Sequence, residues 1–287
     1  MKIFFVCIML FKVLTTFAQE RTPNVFIRKV GAVEVCLLSE GQGLARSGIL
    51  VGATPAMMEK CLNDGACPNS CNAFLVRMPE KIILVDTGYG PNLLTNLKSL
   101  GVAPEQVDAI LITHMHGDHI GGILKDDQPV FPQAEIYVSK SEYDYWMSDG
   151  ARNPATVRKV IDICKANLRF FQPTEIDAKQ TTLFPGIQAV AAFGHTPGHT
   201  LYMIESGKEK ILIWGDLTHA MAIQMPYPQV AVSYDVNPDM AIAARKKVLA
   251  YVAKKKIPVA GMHHAFPGMG IIKKASTGYS FTPFLNN

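Results

Sequence analysis

The chain has 287 residues, of which 48% are hydrophobic and 18% are charged, and its formal net charge is +4. This is ample apolar material for one large domain or two small ones. Lys2 and Lys12 are two of the 28 basic residues, and without them 26 basic residues face 24 acidic ones. So small an excess of positive charge argues against a nucleic-acid partner.

The first nineteen residues have the pattern of a secretory signal. Lys2 precedes an apolar run over residues 3–11, and Ala18 offers a small residue near a cleavage point. Lys12 interrupts the apolar segment, which is too short for a convincing membrane span. Gln19 stands where a lipoprotein would carry its lipid-bearing Cys. We expect a signal peptide over residues 1–19 and an exported protein, periplasmic or extracellular, without a membrane span; an uncleaved anchor is the alternative.

Five cysteines follow the predicted signal: Cys36, Cys61, Cys67, Cys71 and Cys164. In an oxidising compartment, one disulfide within Cys61–Cys71 is compatible with the spacing. That spacing does not match the paired cysteines of a structural zinc site. The odd number leaves at least one thiol unpaired, and the sequence does not decide which.

Strands and helices are interspersed along the chain, with no repeat and no clean linker. The predicted strands cover residues 24–30, 32–38, 72–78, 81–85, 107–111, 134–138, 182–184, 187–192, 201–204, 210–214 and 257–261. The predicted helices cover residues 55–60, 91–100, 141–147, 154–167 and 237–256. Residues 41–70 are otherwise expected to be irregular, and loops of this length are often functional. The pattern indicates two sheets with helices outside, in one domain.

The most informative stretch is residues 112–122, Ile-Thr-His-Met-His-Gly-Asp-His-Ile-Gly-Gly. It follows the predicted strand 107–111, so His114 and His116 leave the strand end on the same side. Beyond Gly117 the chain can turn and aim Asp118 and His119 at a neighbouring point. The segment therefore predicts ligands for two adjacent metal ions, against the alternative of unrelated surface histidines.

Three later strand ends carry matching chemistry. His199 follows the strand 187–192, Asp216 follows 210–214, and His263 follows 257–261. Imidazole and carboxylate ligands suit zinc, and also manganese or iron. Two ions about 3.5–4 Å apart need a bridging carboxylate, and Asp216 is the natural candidate.

His-x-His-x-Asp-His, followed by Thr-Pro-Gly-His, Gly-Asp and a late Gly-x-His, resembles the metallo-β-lactamase superfamily over roughly residues 30–270. The resemblance implies an α/β fold, a four-layer αββα sandwich, with residues 20–287 as one hydrolase domain. It implies that the first ion is held by His114, His116 and His199. It implies that the second is held by Asp118, His119 and His263, with Asp216 between the ions. Asp86 matches a family position that orients a metal-bound histidine by hydrogen bonding.

Two choices between neighbouring histidines rest on the family pattern. His199, not His195, follows Pro-Gly as the family ligand does, so His195 is expected to support the site without binding metal. The ending His-x-x-Phe-Pro-Gly resembles the methyl-parathion-hydrolase-like and lactonase-like branch and favours His263 over His264. His219 is compatible with an exposed loop position.

A substrate pocket is expected close to these strand ends. Apolar and aromatic side chains there predict an uncharged substrate of small size. The predicted lining residues are Trp146, Met225, Tyr227, His264 and Phe266. For each of them a plain core position is the alternative.

The resemblance implies an enzyme that uses a metal-bridging hydroxide, with Zn²⁺ the first choice of metal and Mn²⁺ or Fe²⁺ also compatible. Asp118 is the predicted catalytic residue, because it can orient the nucleophile and carry its proton to the leaving group. The expected substrate is a small ester-like molecule: a lactone, an aryl ester or an organophosphate. The alternatives are a mononuclear-iron sulfur dioxygenase, a true β-lactamase, which Asp216 disfavours, and a non-catalytic metal-binding protein. A homodimer is left open.

Overall fold

The computed structural model describes residues 25–285, so the predicted signal peptide lies outside the described residues. The strands are β1 Val25–Val30, β2 Val33–Arg46, β3 Leu50–Val51, β4 Ala66–Arg77, β5 Ile82–Val85, β6 Ala109–Leu111, β7 Leu124–Lys125, β8 Gln128–Pro129, β9 Glu135–Ser139, β10 Leu168–Phe171, β11 Thr181–Phe184, β12 Ile187–Ala191, β13 Thr200–Ser206, β14 Glu209–Ile213, β15 Ala231–Val232, β16 Val259–Ala260, β17 Met269–Lys274 and β18 Tyr279–Pro283. The α-helices are α1 Pro55–Cys61, α2 Leu93–Ser99, α3 Gly117–Ile120, α4 Lys140–Met147, α5 Ala155–Ile163, α6 Met221–Gln224 and α7 Pro238–Lys255.

Two seven-stranded sheets form the body of the molecule. The first has the order β1-β2-β4-β5-β6-β9-β10, and the second has the order β11-β12-β13-β14-β16-β17-β18. Strands β5, β6, β9 and β10 run parallel to one another, whereas most other neighbours are antiparallel. Parallel strands need crossover connections, and α2, α4 and α5 lie in those connections.

The period-two alternation of buried strands produces the layers. Phe74, Val76 and Ile83 point between the sheets, where they meet Tyr202 and Ile213 of the second sheet. The intervening side chains of the first sheet pack with Leu97, Trp146 and Val157 of its helices, in a core cluster that also contains Leu75, Leu84 and Ile110. The outer face of the second sheet packs on α7 through Val248, Leu249 and Val252. Helix, sheet, sheet and helix therefore stack in the predicted αββα order.

The segment 41–70, predicted to be irregular, contains more strand than expected. Strand β2 continues to Arg46 and pairs with β4 from Ala66 onward, after a register shift between Ser39 and Gly41. Gly41 and Gly43 obscure the apolar alternation there, which explains the missed extension. The long hairpin, α1, α6 and Tyr227 share a small separate core cluster, and the hairpin borders the cleft described below.

Two other expectations concern cysteines and membranes. All five cysteines within residues 25–285 are free thiols, so the structure has no disulfide within Cys61–Cys71. Over the same span, no helix combines the length and apolar content needed to cross a bilayer.

Candidate metal centre

Four side chains from three segments form what we call the first group: His114, His116, His195 and Asp216. Met115, between the first two, is fully buried on the opposite side in the core. His114 Nε2 lies 2.9 Å from His116 Nδ1 and 3.2 Å from His195 Nε2. Asp216 Oδ2 lies 3.2 Å from His195 Nε2 and 3.5 Å from His114 Nε2. Three imidazole nitrogens and a carboxylate oxygen thus converge on one point.

His195 belongs to this group, whereas His199, the predicted ligand, does not. Both ring nitrogens of His199 are engaged within the protein: Nδ1 donates to the Ala192 carbonyl at 3.0 Å, and Nε2 accepts from the Asp216 backbone N–H at 3.0 Å. His195 instead donates from Nδ1 to Asp235 Oδ1 at 2.9 Å, which leaves Nε2 facing the group. The turn over residues 192–199 points the two imidazoles in different directions, and spacing alone does not indicate which one faces inward.

The second group consists of Asp118, His119 and His263. Asp118 and His119 lie on α3, the short helix that follows Gly117, and His263 follows β16. His263 Nε2 lies 3.5 Å from Asp118 Oδ2, and His119 Nε2 lies 3.8 Å from it. Asp216 reaches this group too, with Oδ1 3.1 Å from His119 Nε2 and Oδ2 3.2 Å from His263 Nε2. Asp216 is therefore placed between the two groups, as a bridging carboxylate would be.

Hydrogen bonds fix which nitrogen each of these imidazoles presents. His119 Nδ1 donates to Asp86 Oδ2 at 2.6 Å, and His263 Nδ1 donates to the Ser70 carbonyl at 2.9 Å. Asp86 also accepts bonds from the Thr113 backbone and hydroxyl at 2.8 and 2.7 Å. Asp86 therefore lies behind His119, where it can orient that imidazole, and it adopts a left-handed backbone conformation with φ of 58°. In each imidazole Nε2 is the nitrogen that faces the Asp216 carboxylate.

These donor sets fit divalent metal ions. Nitrogen ligands of tetrahedral zinc lie about 3.3 Å apart, given Zn–N bonds of about 2.0–2.1 Å, and the first group shows 2.9–3.2 Å. His119 Nε2 and Asp216 Oδ1 are buried and lie 3.1 Å apart, but neither makes a well-aligned hydrogen bond within the described residues. Buried polar atoms without partners are costly, and a cation between the groups would satisfy both.

The carboxylates and imidazoles perturb one another strongly. Burial acts to lower the pKa of His119, but Asp216, Asp118 and Asp86 outweigh it and raise that pKa well above its ordinary value. Burial likewise opposes the hydrogen bonds to Asp216 and Asp235 that raise the pKa of His195 to about 9. Burial opposes ionisation of Asp216, but the histidines His119, His263 and His219 hold its pKa well below the usual range. The site therefore stabilises positive charge at its centre.

His219, for which an exposed loop position was considered, is 4% exposed and lines the site. Its Nε2 lies 2.9 Å from Asp216 Oδ2, and its ring stacks on His263 with centroids 4.8 Å apart. Its position three residues after Asp216 is the only sequence signal for this placement. Asp235 and Glu142, which hold the ligand segments, carried no such signal.

The predicted pocket residues do not line the cleft. Trp146 and Met225 are buried in the helical and sheet cores, and Tyr227 and Phe266 pack in two other apolar clusters. His264 is 1% exposed and accepts a hydrogen bond from Trp214 Nε1 at 3.0 Å. Trp146, Met225 and His264 are thus core residues, whereas Tyr227 and Phe266 are partly buried and lie outside the cleft lining.

The cleft itself is built by other residues. A cavity of about 610 Å³ opens above the two groups, a size typical of small-molecule sites. The metal-facing floor is formed by His116, Asp118, Asp216, His219 and His263, and the walls by Leu44, Ala45, Arg46, Ile49, Asn69, Tyr89 and Tyr234. Leu44, Tyr89 and Tyr234 are 59%, 62% and 51% exposed, which gives the cleft an apolar rim.

Comparisons with known sequences agree with this geometry. The model of the metallo-beta-lactamase superfamily matches residues 68–256. The N-acyl homoserine lactonase of Bacillus cereus is 23% identical over 207 residues, which cover 70% of this chain and 73% of the relative. The N-acyl homoserine lactonase AttM of Rhizobium radiobacter is 28% identical over 122 residues, and the hydroxyacylglutathione hydrolase of Aeromonas salmonicida is 35% identical over 85. These last two matches span 43% and 31% of the relatives' lengths.

Solved structures extend the similarity to almost the whole chain. AidC, described as a dizinc quorum-quenching lactonase in complex with a product, N-hexanoyl-L-homoserine, superposes with a TM-score of 0.83 and 28% identity, covering 92% of this chain and 99% of AidC. The hydrolase AbOPH of the beta lactamase superfamily superposes with a TM-score of 0.82 and 29% identity, covering 93% and 100%.

Proposed function

The chain belongs to the metallo-beta-lactamase superfamily and is a metal-dependent hydrolase, and we propose that it is a dizinc lactonase acting on a small lactone with an apolar acyl substituent. The observation that carries the proposal is the position of Asp216, 3.1–3.5 Å from imidazole nitrogens of both groups at the floor of an apolar-rimmed cleft. The similarity to AidC over nearly both full lengths supports the choice of a lactone.

Metal ions would supply the activation, and the chain would supply orientation. Zinc in the first group would be held by His114, His116 and His195, zinc in the second by Asp118, His119 and His263, and Asp216 would contact both. Two such ions lower the pKa of a water molecule and polarise a carbonyl. Mn²⁺ and Fe²⁺ also suit these ligands.

Asp118 is the residue placed to move a proton. Its side chain is 20% exposed, unlike the buried Asp216, and it lines the cleft. The neighbouring His119 and His263 outweigh burial and lower its pKa, so it is ionised at neutral pH. As a carboxylate it can accept the proton of the attacking water and return it to the ring oxygen that leaves.

The cleft walls would select the substrate. Arg46 and Asn69 offer hydrogen-bond donors beside the metal-facing floor, where the polar lactone and its amide would lie. Leu44, Tyr89 and Tyr234 would cover an acyl chain, because burial of apolar area favours binding.

A substrate panel tests the proposal. Zinc-loaded protein is offered N-hexanoyl homoserine lactone, an aryl ester, a phosphotriester and a β-lactam, with products identified by mass spectrometry. Ring opening of the lactone, with the highest kcat/KM of the panel, is expected. Faster cleavage of any other member would contradict it, and persulfide-dependent oxygen uptake by an iron-loaded sample would support the dioxygenase alternative.

We also propose that the protein is exported. Lys2, the apolar run over residues 3–11 and Ala18 support a signal peptide. Expression of the full chain should yield periplasmic or extracellular protein whose mature mass lacks about nineteen residues. Full-length protein in the cytosol would contradict export.

A further inference from the structure

Glu142 is a buried carboxylate that the proposed reaction does not use. It lies in the first turn of α4, three residues after the N-cap Ser139, and is 1% exposed. Ser-x-x-Glu is the sequence of a capping box, in which Glu accepts a hydrogen bond from the N-cap backbone. Here the two carboxylate oxygens accept four hydrogen bonds from other groups than the N-cap backbone, and three of these donors lie outside α4.

The four donors surround the Glu142 carboxylate. Oε1 accepts from the Met115 backbone N–H at 2.9 Å and from Trp146 Nε1 at 2.6 Å. Oε2 accepts from the Thr196 hydroxyl at 2.6 Å and from the Gly198 backbone N–H at 3.0 Å. Three of these donors are N–H groups that cannot accept, so a carboxylate matches all four. Burial raises the pKa of Glu142, and these hydrogen bonds act against that rise.

Each donor belongs to, or packs on, a segment that carries a ligand of the first group. Met115 stands between His114 and His116, and Thr196 directly follows His195. The ring of Trp146 meets the ring of His116 edge-on, with centroids 5.7 Å apart. One carboxylate thus spans two segments about 80 residues apart in the chain.

Close packing keeps the turn of His195 against this helix. A Cβ atom on Gly198 would lie 2.2 Å from the Glu142 backbone nitrogen, and Ser139 Oγ donates to the Gly198 carbonyl at 3.0 Å. The geometry therefore leaves the turn little freedom to move relative to Glu142.

We propose that Glu142 is the positioning residue of the first group, fixing the distance between the His114–His116 segment and His195 and thereby the affinity for one of the two ions. This inference rests on the proposal that the first group holds metal. Outer hydrogen bonds to metal ligands change metal affinity by about 10- to 100-fold. The second group makes no contact with Glu142 among its hydrogen bonds, so its ion should be unaffected.

The test is zinc titration of Glu142→Gln against a chromophoric chelator. The amide is isosteric, but its NH₂ faces two of the donors. We expect the dissociation constant of one zinc ion to rise about 10- to 100-fold and that of the other to stay as in the unaltered protein. Saturating zinc should restore kcat with KM unchanged. Thr196→Val, which removes one donor, should weaken the same constant by less and serves if Glu142→Gln does not fold.

Glu40→Gln is the matched control, since Glu40 is also buried but accepts from the Gly90 and Asn92 backbones, away from the first group. It should leave both zinc constants unchanged. The inference would be overturned if both Glu142→Gln and Thr196→Val left the zinc dissociation constants unchanged, or if the affinity for the two ions fell equally. Because the readout is metal binding, it is decided independently of whether the unaltered protein opens lactones.

Discussion

The backbone N–H of Asp216 donates to Nε2 of His199 across 3.0 Å. A hydrogen bond to this nitrogen removes the lone pair that a metal would need. Gly215, with a φ of 53°, directs the chain so that this bond forms, and a Cβ there would lie 2.5 Å from the same nitrogen. His199 therefore binds the backbone of Asp216, while His195 faces the first group.

This relationship predicts opposite outcomes for two neighbouring histidines. His195→Ala should lose one zinc per chain together with nearly all activity, because it removes a ligand of the first group. His199→Ala should keep two zinc ions but lower the free energy of unfolding by about 1–3 kcal/mol, because two buried backbone groups lose their partner. Elemental analysis and denaturant unfolding measure both. Loss of zinc from His199→Ala, with both ions retained in His195→Ala, would instead support the sequence prediction that His199 is the ligand.

Asp86→Asn should weaken zinc binding by the second group. Asp86 fixes the tautomer of His119 and accepts two further hydrogen bonds from Thr113. The side-chain NH₂ of Asn would face one of these hydrogen-bond donors, so that bond would be lost. Asn tolerates the left-handed backbone of this position, so the change reaches the hydrogen bonds only. We expect about a 10- to 100-fold weaker zinc constant by chelator competition. Asp108→Asn, at a residue that directly precedes the neighbouring strand β6 and accepts from the Ile82 N–H, should not change it; a normal constant in Asp86→Asn would contradict this role.

Metal binding should tighten as the pH rises. In the metal-free protein the pKa of His119 lies well above its ordinary value and that of His195 lies at about 9, so both imidazoles are protonated at pH 7. Ligation requires the neutral form, so zinc displaces these protons. Between pH 7 and 9 the zinc affinity should rise by up to about tenfold per pH unit for each proton displaced. Calorimetry in buffers of different ionisation enthalpy should show proton release, and a flat pH profile would contradict the assignment.

The apolar rim should set the dependence on acyl chain length. Each buried methylene contributes about 0.8 kcal/mol, or roughly a fourfold gain in kcat/KM. In Leu44→Ser and Tyr234→Ser this gain per methylene should shrink, through KM rather than kcat. Ile27→Ser, at an exposed position of β1 outside the cleft, is the control and should keep the full slope. An unchanged slope in the rim variants would place the acyl chain elsewhere.

The sequence predicted the fold and most of the centre because both follow from local rules. The predicted strands 72–78 and 81–85 overlap β4 and β5, and the strand ends predicted the convergence of Asp118, Asp216 and His263. The resemblance to the metallo-β-lactamase superfamily is confirmed by the family match.

The errors arose where local pattern does not determine direction. His195 and His199 flank the same turn, and only the bonds to Asp235 and Asp216 decide between them. The predicted pocket residues do not line the cleft, because the sequence pattern of apolar side chains near a site is the same whether they line a cleft or fill a core. The extension of β2 to Arg46 depends on its pairing with β4. The roles of Glu142 and Asp235 depend on hydrogen bonds between distant segments, which the spacing of residues in the sequence does not indicate.

Zinc titration of lactone hydrolysis in chelator-treated protein tests the central claim most directly. The dizinc assignment predicts that ring opening of N-hexanoyl homoserine lactone is negligible without metal and reaches its full rate only when two equivalents of zinc per chain have bound. Full activity at one equivalent, or no ring opening with two zinc ions bound, would contradict it.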